Sequence, residues 1–512
     1  MQGEVVGKVI EQSTPLKFRF RVAKGKDIPL HEFVFVNIGE DKKVLAEVIS
    51  VGTRNPLATE SLTVEESAES DMYSYEVAEA EVLGYLEDGR LLRPKIAPKP
   101  NAQVYKADDE SLQRFFKGDD KRVPIYIGSL VHRKSVKVPI HIQDLQFHLG
   151  IFAQTRAGKS YLAGKIIEEI LVNTPFPVIV IDIHGDYLMM DRDSITGQKH
   201  DKFDVVVYFP TGAKPLKGLS AEIRELKLTP RDLTNEAVIE LIGHLGELQE
   251  IVIREKLSQL RGENRPFGSA DLIHLLKEEV EREDNELDSA TRKRYLSIIT
   301  RLEDLQNDGV YLTPIGTQIK ELLRPKQLTV ICLRGMKARV QDSYTGLIVD
   351  LILRNQISNY GNHVLAPPTF LFIEEAHRVA SRDVSSYGRR SISTAVREGA
   401  KFGLFLCFIS QRPRSIDPDI MSNIGNYIVL RITNQQDQNM IEYASESFTR
   451  RLIEDLPALN QGEAVIVGPF TPIPAMIKTE DRLTMHFGVT PNLLTIKNSL
   501  EEMVRRRVEE RW

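Results

Sequence analysis

The stretch His148-Leu-Gly-Ile-Phe-Ala-Gln-Thr-Arg-Ala-Gly-Lys-Ser160 limits the possible folds more than any other, because an apolar run passes through a small-residue turn straight into a helical pattern. A strand, turn and helix of this kind form a phosphate-binding loop. The turn's backbone N–H groups face the phosphates, a lysine follows the β and γ phosphates, and a hydroxyl ligates Mg²⁺. Ala153, Gln154, Thr155, Arg156, Ala157, Gly158, Lys159, Ser160 and Tyr161 are the candidate nucleotide-binding residues, with Lys159 as the lysine and Ser160 as the Mg²⁺ hydroxyl. Ile166, Ile167, Ile170 and Leu171 give the following helix an apolar face, and its positive end aims at the phosphates. The loop departs from the strict pattern, since Ala153 stands where the first glycine is expected and Arg156 lies inside the turn. ATP and Mg²⁺ are the expected cofactors.

A phosphate loop that hydrolyses its ligand needs an acidic strand beside it, and Thr369-Phe-Leu-Phe-Ile-Glu-Glu-Ala-His377 has that form. Glu374 is expected to hold the metal's water shell and Glu375 to polarise the attacking water. Two carboxylates at the end of a buried strand are costly without a cationic partner, which ties this stretch to the loop. One strand further on, Gln411 places an amide where it would sense the γ phosphate. The run from Val178 to Tyr187 is another acidic strand end, with Asp182 and Asp186 as supporting acids. Whether Asp182, His184 and Asp186 do chemistry or only order a loop is open at this level. No second His or Cys cluster has ligand spacing, so a transition-metal site is disfavoured.

The rest of the chain divides around these motifs. Residues 1–96 read as short strands (4–10, 17–22, 33–36, 44–51 and 76–84), the pattern of a small β-barrel, with 63–71 as a solvated acidic loop. Pro94, Pro98 and Pro100 lead into a connector, 97–140. Residues 141–219 and 326–480 alternate strand and helix, as in a parallel sheet covered on both faces, with strands at 178–181, 205–209, 328–333, 369–373, 404–410 and 427–432. Strands at 463–467 and 473–478 finish this part. Between its halves, 220–325 is expected to be an inserted helical bundle, on stripes such as Ile239, Ile242, Leu245 and Leu248, Ile253, Leu257 or Leu296, Ile299, Leu302, Leu305. A C-terminal extension, 481–512, is expected to carry a helix over 493–512.

Composition excludes several classes. The 512-residue chain has no apolar run long enough to span a bilayer and begins without a charged-then-apolar leader, so a cytoplasmic protein is expected. The net charge of −5 excludes a uniformly basic nucleic-acid coat and leaves room for a local basic surface, such as the inside of a ring. Cys332 and Cys407, the two cysteines, sit in apolar runs as buried thiols.

Taken together and in order, Ile181-Asp-Ile-His-Gly-Asp-Tyr187, Glu374-Glu-Ala-His377, Arg397-Glu-Gly-Ala-Lys-Phe-Gly403, Ser410-Gln-Arg-Pro-Arg-Ser-Ile-Asp-Pro418, Leu430-Arg-Ile-Thr-Asn-Gln-Gln-Asp437 and Gly462-Glu-Ala span nearly the whole chain. The sequence so read resembles the HerA family of hexameric DNA-pumping ATPases, within the wider group that includes FtsK translocases and conjugative coupling proteins. The resemblance implies an α/β fold with a RecA-like P-loop ATPase core, an N-terminal small β-barrel and an inserted helical bundle. It implies a homo-hexameric ring that moves double-stranded DNA, with an arginine completing each site from the neighbouring subunit. Arg397 is the favoured candidate for that arginine, followed by Arg412 and Arg431, with Lys401 a weaker cation. A channel-facing loop at 385–391 (Tyr387, Arg389, Arg390) and the loop carrying Arg192 and Lys199 are the DNA-contact candidates. A partner is implied on one face, either a NurA-type nuclease for DNA repair or an effector such as a sirtuin-type NADase in antiviral defence, and the sequence does not choose between them. The family has glycine at Arg156, Asp at Glu374 and a basic residue at Ala400; these departures keep a second reading open, an ATP-regulated scaffold that organises and switches a partner with little translocation of its own.

Overall fold

A computed structural model describes residues 3–10, 13–39, 42–55, 74–118, 121–243, 245–281, 288–445 and 448–488, with 497, 500 and 501. The chain forms two compact units, one of Met1–Phe147, Gly425–Asn434 and Ser445–Glu480, the other of His148–Ile424, Gln435–Ala444 and Asp481–Trp512. The acidic stretch 63–71 and nearly all of 493–512 lie outside the described residues.

The first unit opens with β1 (Val5–Val9), β2 (Lys17–Val22), β3 (Phe33–Ile38), β4 (Lys42–Arg54), β5 (Tyr75–Glu87), β6 (Arg90–Leu92) and β7 (Gln103–Lys106). In the order β2-β1-β7-β3-β4-β5 they pair antiparallel, and β2 returns to β5, closing a six-stranded barrel. Closure leaves these strands no open edge. The alternation in β2 shows how sequence sets the wall: Phe18, Phe20 and Val22 fill the interior with Val34, Val36, Val44 and Ala80, while Lys17 and Arg21 face out. One strand of the barrel, β7, lies in the stretch read as a connector, because four residues after a proline-rich turn carry little strand signal of their own. The unit continues with a helix, Asp109–Lys117, capped by Asp108, and with β8 (Pro124–Leu130), β9 (Arg133–His141), β17 (Asn426–Leu430), β18 (Glu463–Val467) and β19 (Ala475–Thr479). The run expected at 427–432 as a core strand is β17, antiparallel to β18 and grouped with the first unit. A short apolar run carries no sign of its strand's direction.

In the second unit, β10 (Leu149–Phe152), β11 (Val178–Asp182), β12 (Asp204–Pro210), β13 (Glu222–Leu226), β14 (Gln327–Cys332), β15 (Thr369–Ile373) and β16 (Leu404–Ser410) lie in the order β13-β12-β14-β11-β15-β16-β10. Each neighbouring pair is parallel. Residues of β10, β11, β14 and β15 are buried throughout, as a sheet covered on both faces requires. The register brings Phe152 beside Ser410 and Ile181 beside Ile373, so the motifs that follow these strands emerge along one edge. β13 falls in the span expected to be helical; it is an edge strand, Glu-Ile-Arg-Glu-Leu, with only Leu226 buried, too polar to show a strand's apolar pattern. The insertion otherwise consists mainly of helices Asn235–Ile242, Glu247–Gly262, Ser269–Glu281 and Ser289–Asn307, burying Ile239, Ile242, Ile253, Leu257, Ile299, Leu302 and Leu305. Leu248 and Leu296, expected on those stripes, are exposed. Among the described residues, no helix is long and apolar enough to cross a membrane.

Candidate nucleotide site

The helix Lys159–Asn173 starts at Gly158, whose φ of 106° is open to glycine, and no side chain caps it. Its first-turn N–H groups therefore have no intrahelical partner and point outward, ready for an anion. Buried Leu162, Ala163, Ile166, Ile167, Ile170 and Leu171 fix the helix against the sheet. Arg156 adopts the left-handed conformation, φ 67°, which costs a side-chain-bearing residue about 1–2 kcal/mol.

The acid pair meets this loop directly. Ser160 Oγ donates to Glu374 Oε1 at 3.1 Å, and Lys159 Nζ lies 3.3 Å from Glu375 Oε1. Glu374 is wholly buried and, among the described residues, its Oε2 has no hydrogen-bond partner. Burial first, then the charge of Asp182, pushes its pKa well above the usual carboxylate range, against the pull of Lys159. Burial also acts to raise Glu375, but the His184 hydrogen bond and the charges of Lys159 and His377 outweigh it and hold Glu375 at about 2. Burial pushes His377 itself down to about 4, so at neutral pH the ring is uncharged and Lys159 is the cation that keeps Glu375 ionised. Glu375 has φ 48°, a strained left-handed turn at the end of β15. Gln411 ties the two motifs together: its Oε1 accepts from the Thr155 hydroxyl at 2.6 Å and its Nε2 donates to Glu375 Oε2 at 3.3 Å.

Asp182 orders the loop after β11. Its carboxylate accepts the backbone N–H groups of His184, Gly185, Asp186 and Tyr187 at 3.1, 2.6, 3.2 and 3.1 Å. His184 Nε2 thereby comes to 3.6 Å from Glu375 Oε1. The residues fit Mg²⁺: a serine hydroxyl, a carboxylate with an orphaned oxygen, and beside it the buried acid Asp182, whose charge raises Glu374 and which a cation would offset.

Other expected residues lie elsewhere. Arg397 is exposed in the last turn of the helix Tyr387–Glu398, and among the described residues no hydrogen bond or ion pair joins it to Glu374, Glu375, Lys159 or Gln411. The stretch expected as a mobile DNA-contact loop is the start of that helix. Ser386 caps it by accepting from Arg389 N, Tyr387 donates to Asp350 Oδ2 at 3.2 Å, and Arg389 and Arg390 pair with Asp417 and Glu240. A serine cap followed by Ile392, Ala395 and Val396 on one face is a helix signal, which the small residues of 385–391 masked. Lys199 is exposed, bridged to Arg192 at the base of a tight turn. One connection had no signal in the sequence. The backbone N–H of Arg482 donates to the Tyr161 hydroxyl at 2.9 Å, Glu168 accepts from Leu483 N and Thr484 N, and the Arg482 guanidinium fills the space that a side chain on Gly164 would need.

A family model described as "Helicase HerA, central domain" matches residues 125–352. The DNA double-strand break repair helicase HerA of Pyrococcus furiosus is 26% identical over 93% of this chain and 92% of that protein. The HerA helicase of Sulfurisphaera tokodaii is 25% identical over 99% and 98%. The chain is similar to HerA helicases along nearly its whole length. The chain is also 26% identical, over 96% of its length and 94% of the relative's, to a probable helicase of Methanocaldococcus jannaschii. The plasmid coupling protein TrwB, solved with ADP and Mg²⁺, shares the fold at a TM-score of 0.50 and 14% identity, over 74% of this chain and 94% of TrwB. The core, with its phosphate loop and acidic strand, is that of an ATP-hydrolysing enzyme.

Proposed function

We propose that this chain is the subunit of a homo-hexameric ring that hydrolyses ATP and moves along double-stranded DNA, working beside a nuclease or other effector seated on one face. The observation that carries the reading is the junction of Lys159 with Glu375 and of Ser160 with Glu374, which joins the phosphate loop to two acids from a distant strand. In this reading the helix N-terminus and Lys159 hold the phosphates, and Ser160 with Glu374 holds Mg²⁺. Bound there, the metal neutralises phosphate charge. Glu375, ionised, takes the proton of the attacking water, and Gln411 reads the γ phosphate through the amide it now points at Glu375. Arg397, exposed and away from its own subunit's acids, suits a role at the neighbouring site. DNA would be held through phosphates, since a motor must accept any sequence, and Lys199 and Arg390 are the more open of the candidate cations. A NurA-type nuclease or a sirtuin-type NADase fits the place of the effector equally well.

The names of the relatives, DNA repair helicases, support the DNA-processing part. A triplex-displacement assay on blunt duplex DNA tests it: ATP should drive displacement, and a non-hydrolysable analogue should not. The strained Arg156 inside the phosphate loop favours a second reading, a slowly turning scaffold that switches its partner. DNA binding without displacement would select it.

A further inference from the structure

We propose that His377 is the positioning residue for Glu375, the side chain that keeps the water-polarising carboxylate aimed while its other partners are engaged by phosphate. The inference rests on Glu375 as the carboxylate that polarises water. Four groups face the Glu375 carboxylate. Lys159 Nζ, at 3.3 Å, and His184 Nε2, at 3.6 Å, lie on Oε1. Gln411 Nε2, at 3.3 Å, and His377 Nδ1, at 3.2 Å, lie on Oε2.

These four are not equivalent. Lys159 is the phosphate-loop lysine, and Gln411 is bonded to that loop through Thr155, so the bonds both make to Glu375 compete with bonds to the nucleotide. His184, at 3.6 Å, makes the longest of the four contacts, and its side chain is 46% exposed. His377 is 11% exposed, comes from the turn that Glu375 begins, and is held by Ser410 through the same nitrogen that faces Glu375. Its Nδ1 lies 3.1 Å from Ser410 Oγ, which also accepts the backbone N–H of Arg412 at 3.0 Å. The ring is thus anchored both to the end of β15 and to the end of β16. The Nδ1 hydrogen bond is the one to Ser410 Oγ, and the Glu375 carboxylate, an acceptor 3.2 Å from the same nitrogen, lies close enough to share its proton. That 3.2 Å contact, with the ring held by Ser410, would keep in place a residue whose left-handed backbone is strained, and with it the direction of the carboxylate.

A displacement near 1 Å at a reacting group lowers rates by about a hundredfold, and loss of an outer partner by about tenfold to a hundredfold. The expected signature is a fall in kcat with binding preserved. In the full-length protein, His377→Ala and His377→Gln should lose kcat in that range, with ATP affinity (measured with a fluorescent ATP analogue) and Tm unchanged. His377→Asn should recover most of the rate, because its amide nitrogen falls where Nδ1 stood, whereas that of Gln reaches toward Nε2. Adding His377→Ala to Glu375→Gln should lower the residual rate no further, since the two act through one carboxylate. Wild-type kcat in His377→Ala, equal losses in all three variants with lowered Tm, or an additive loss on top of Glu375→Gln would overturn the assignment. Retention of hydrolysis by Glu375→Gln alone would remove the role of Glu375 itself, and with it the inference.

Discussion

Each unit of this chain buries a charged cluster, and the two are built on opposite plans. In the first unit, His31 Nδ1 meets Glu47 at 2.8 Å and Arg451 meets the same carboxylate at 2.9 Å, while His31 Nε2 lies 3.7 Å from Asp455. Burial acts to lower His31, but its hydrogen bonds to Asp455 and Glu47 win and raise it to about 9, so two cations face two acids. In the second unit, Asp182, Glu374 and Glu375 are buried with Lys159 as their nearest cation. Both clusters leave orphaned atoms, Arg451 Nε and Asp455 Oδ2 in one and Glu374 Oε2 in the other. The difference is therefore one of net charge: the balanced cluster holds helix Arg450–Asp455 to the barrel wall, and the acid-rich one has capacity left for a ligand that brings positive charge.

Removing an acid should then have opposite effects in the two places. Glu47→Ala removes the carboxylate that His31 and Arg451 share, leaving only the more distant Asp455 and Glu81 to face them, and should destabilise the first unit by about 3 kcal/mol, the low end for a broken buried pair; urea unfolding checks it. Glu374→Gln removes a carboxylate that the fold raises, so Tm without Mg²⁺ should hold or rise, while Mg²⁺-dependent hydrolysis is lost. A fall in Tm for Glu374→Gln like that of Glu47→Ala would erase the distinction.

The pH dependence sharpens the contrast. His31 is raised in the fold, so its stabilisation is full below the unfolded value of 6.5 and is lost as pH rises through about 9. Glu375 is lowered, so its contribution is present above 4.5 and is lost as pH falls toward about 2. Thermal melts from pH 7 to 10 should show a decline that His31→Gln flattens and Glu375→Gln leaves in place. The smallest effect is expected at Arg156→Gly: relief of the left-handed strain, offset by the freer unfolded chain, should raise stability by about 1 kcal/mol at most. Calorimetry would detect it, with ATP turnover measured alongside.

The nucleotide site was largely legible in the sequence because its parts are local. A strand, a glycine turn and a lysine lie within a dozen residues, and the acids follow an apolar strand without interruption. What joined them was also readable, since two costly motifs account for each other. Less legible were features decided by partners far along the chain. β7 and β13 are strands because barrel and sheet edges wait for them, although their own residues alternate weakly. The direction of β17 depends on β18, and the helix at Tyr387 on Asp342, Asp350 and Asp417. Asp182 illustrates the limit most clearly. An acid at a strand end has the same signature whether it serves a metal or four backbone N–H groups, and only the loop's path shows the latter.

The most direct test of the proposed coupling of ATP hydrolysis to DNA is steady-state hydrolysis by the full-length protein with and without double-stranded DNA, beside Glu375→Gln. DNA should stimulate the wild-type rate strongly, and the variant should lose about a hundredfold or more while still binding ATP. A slow rate indifferent to DNA, or a variant as active as wild type, would contradict the motor in the first case and the assigned carboxylate in the second.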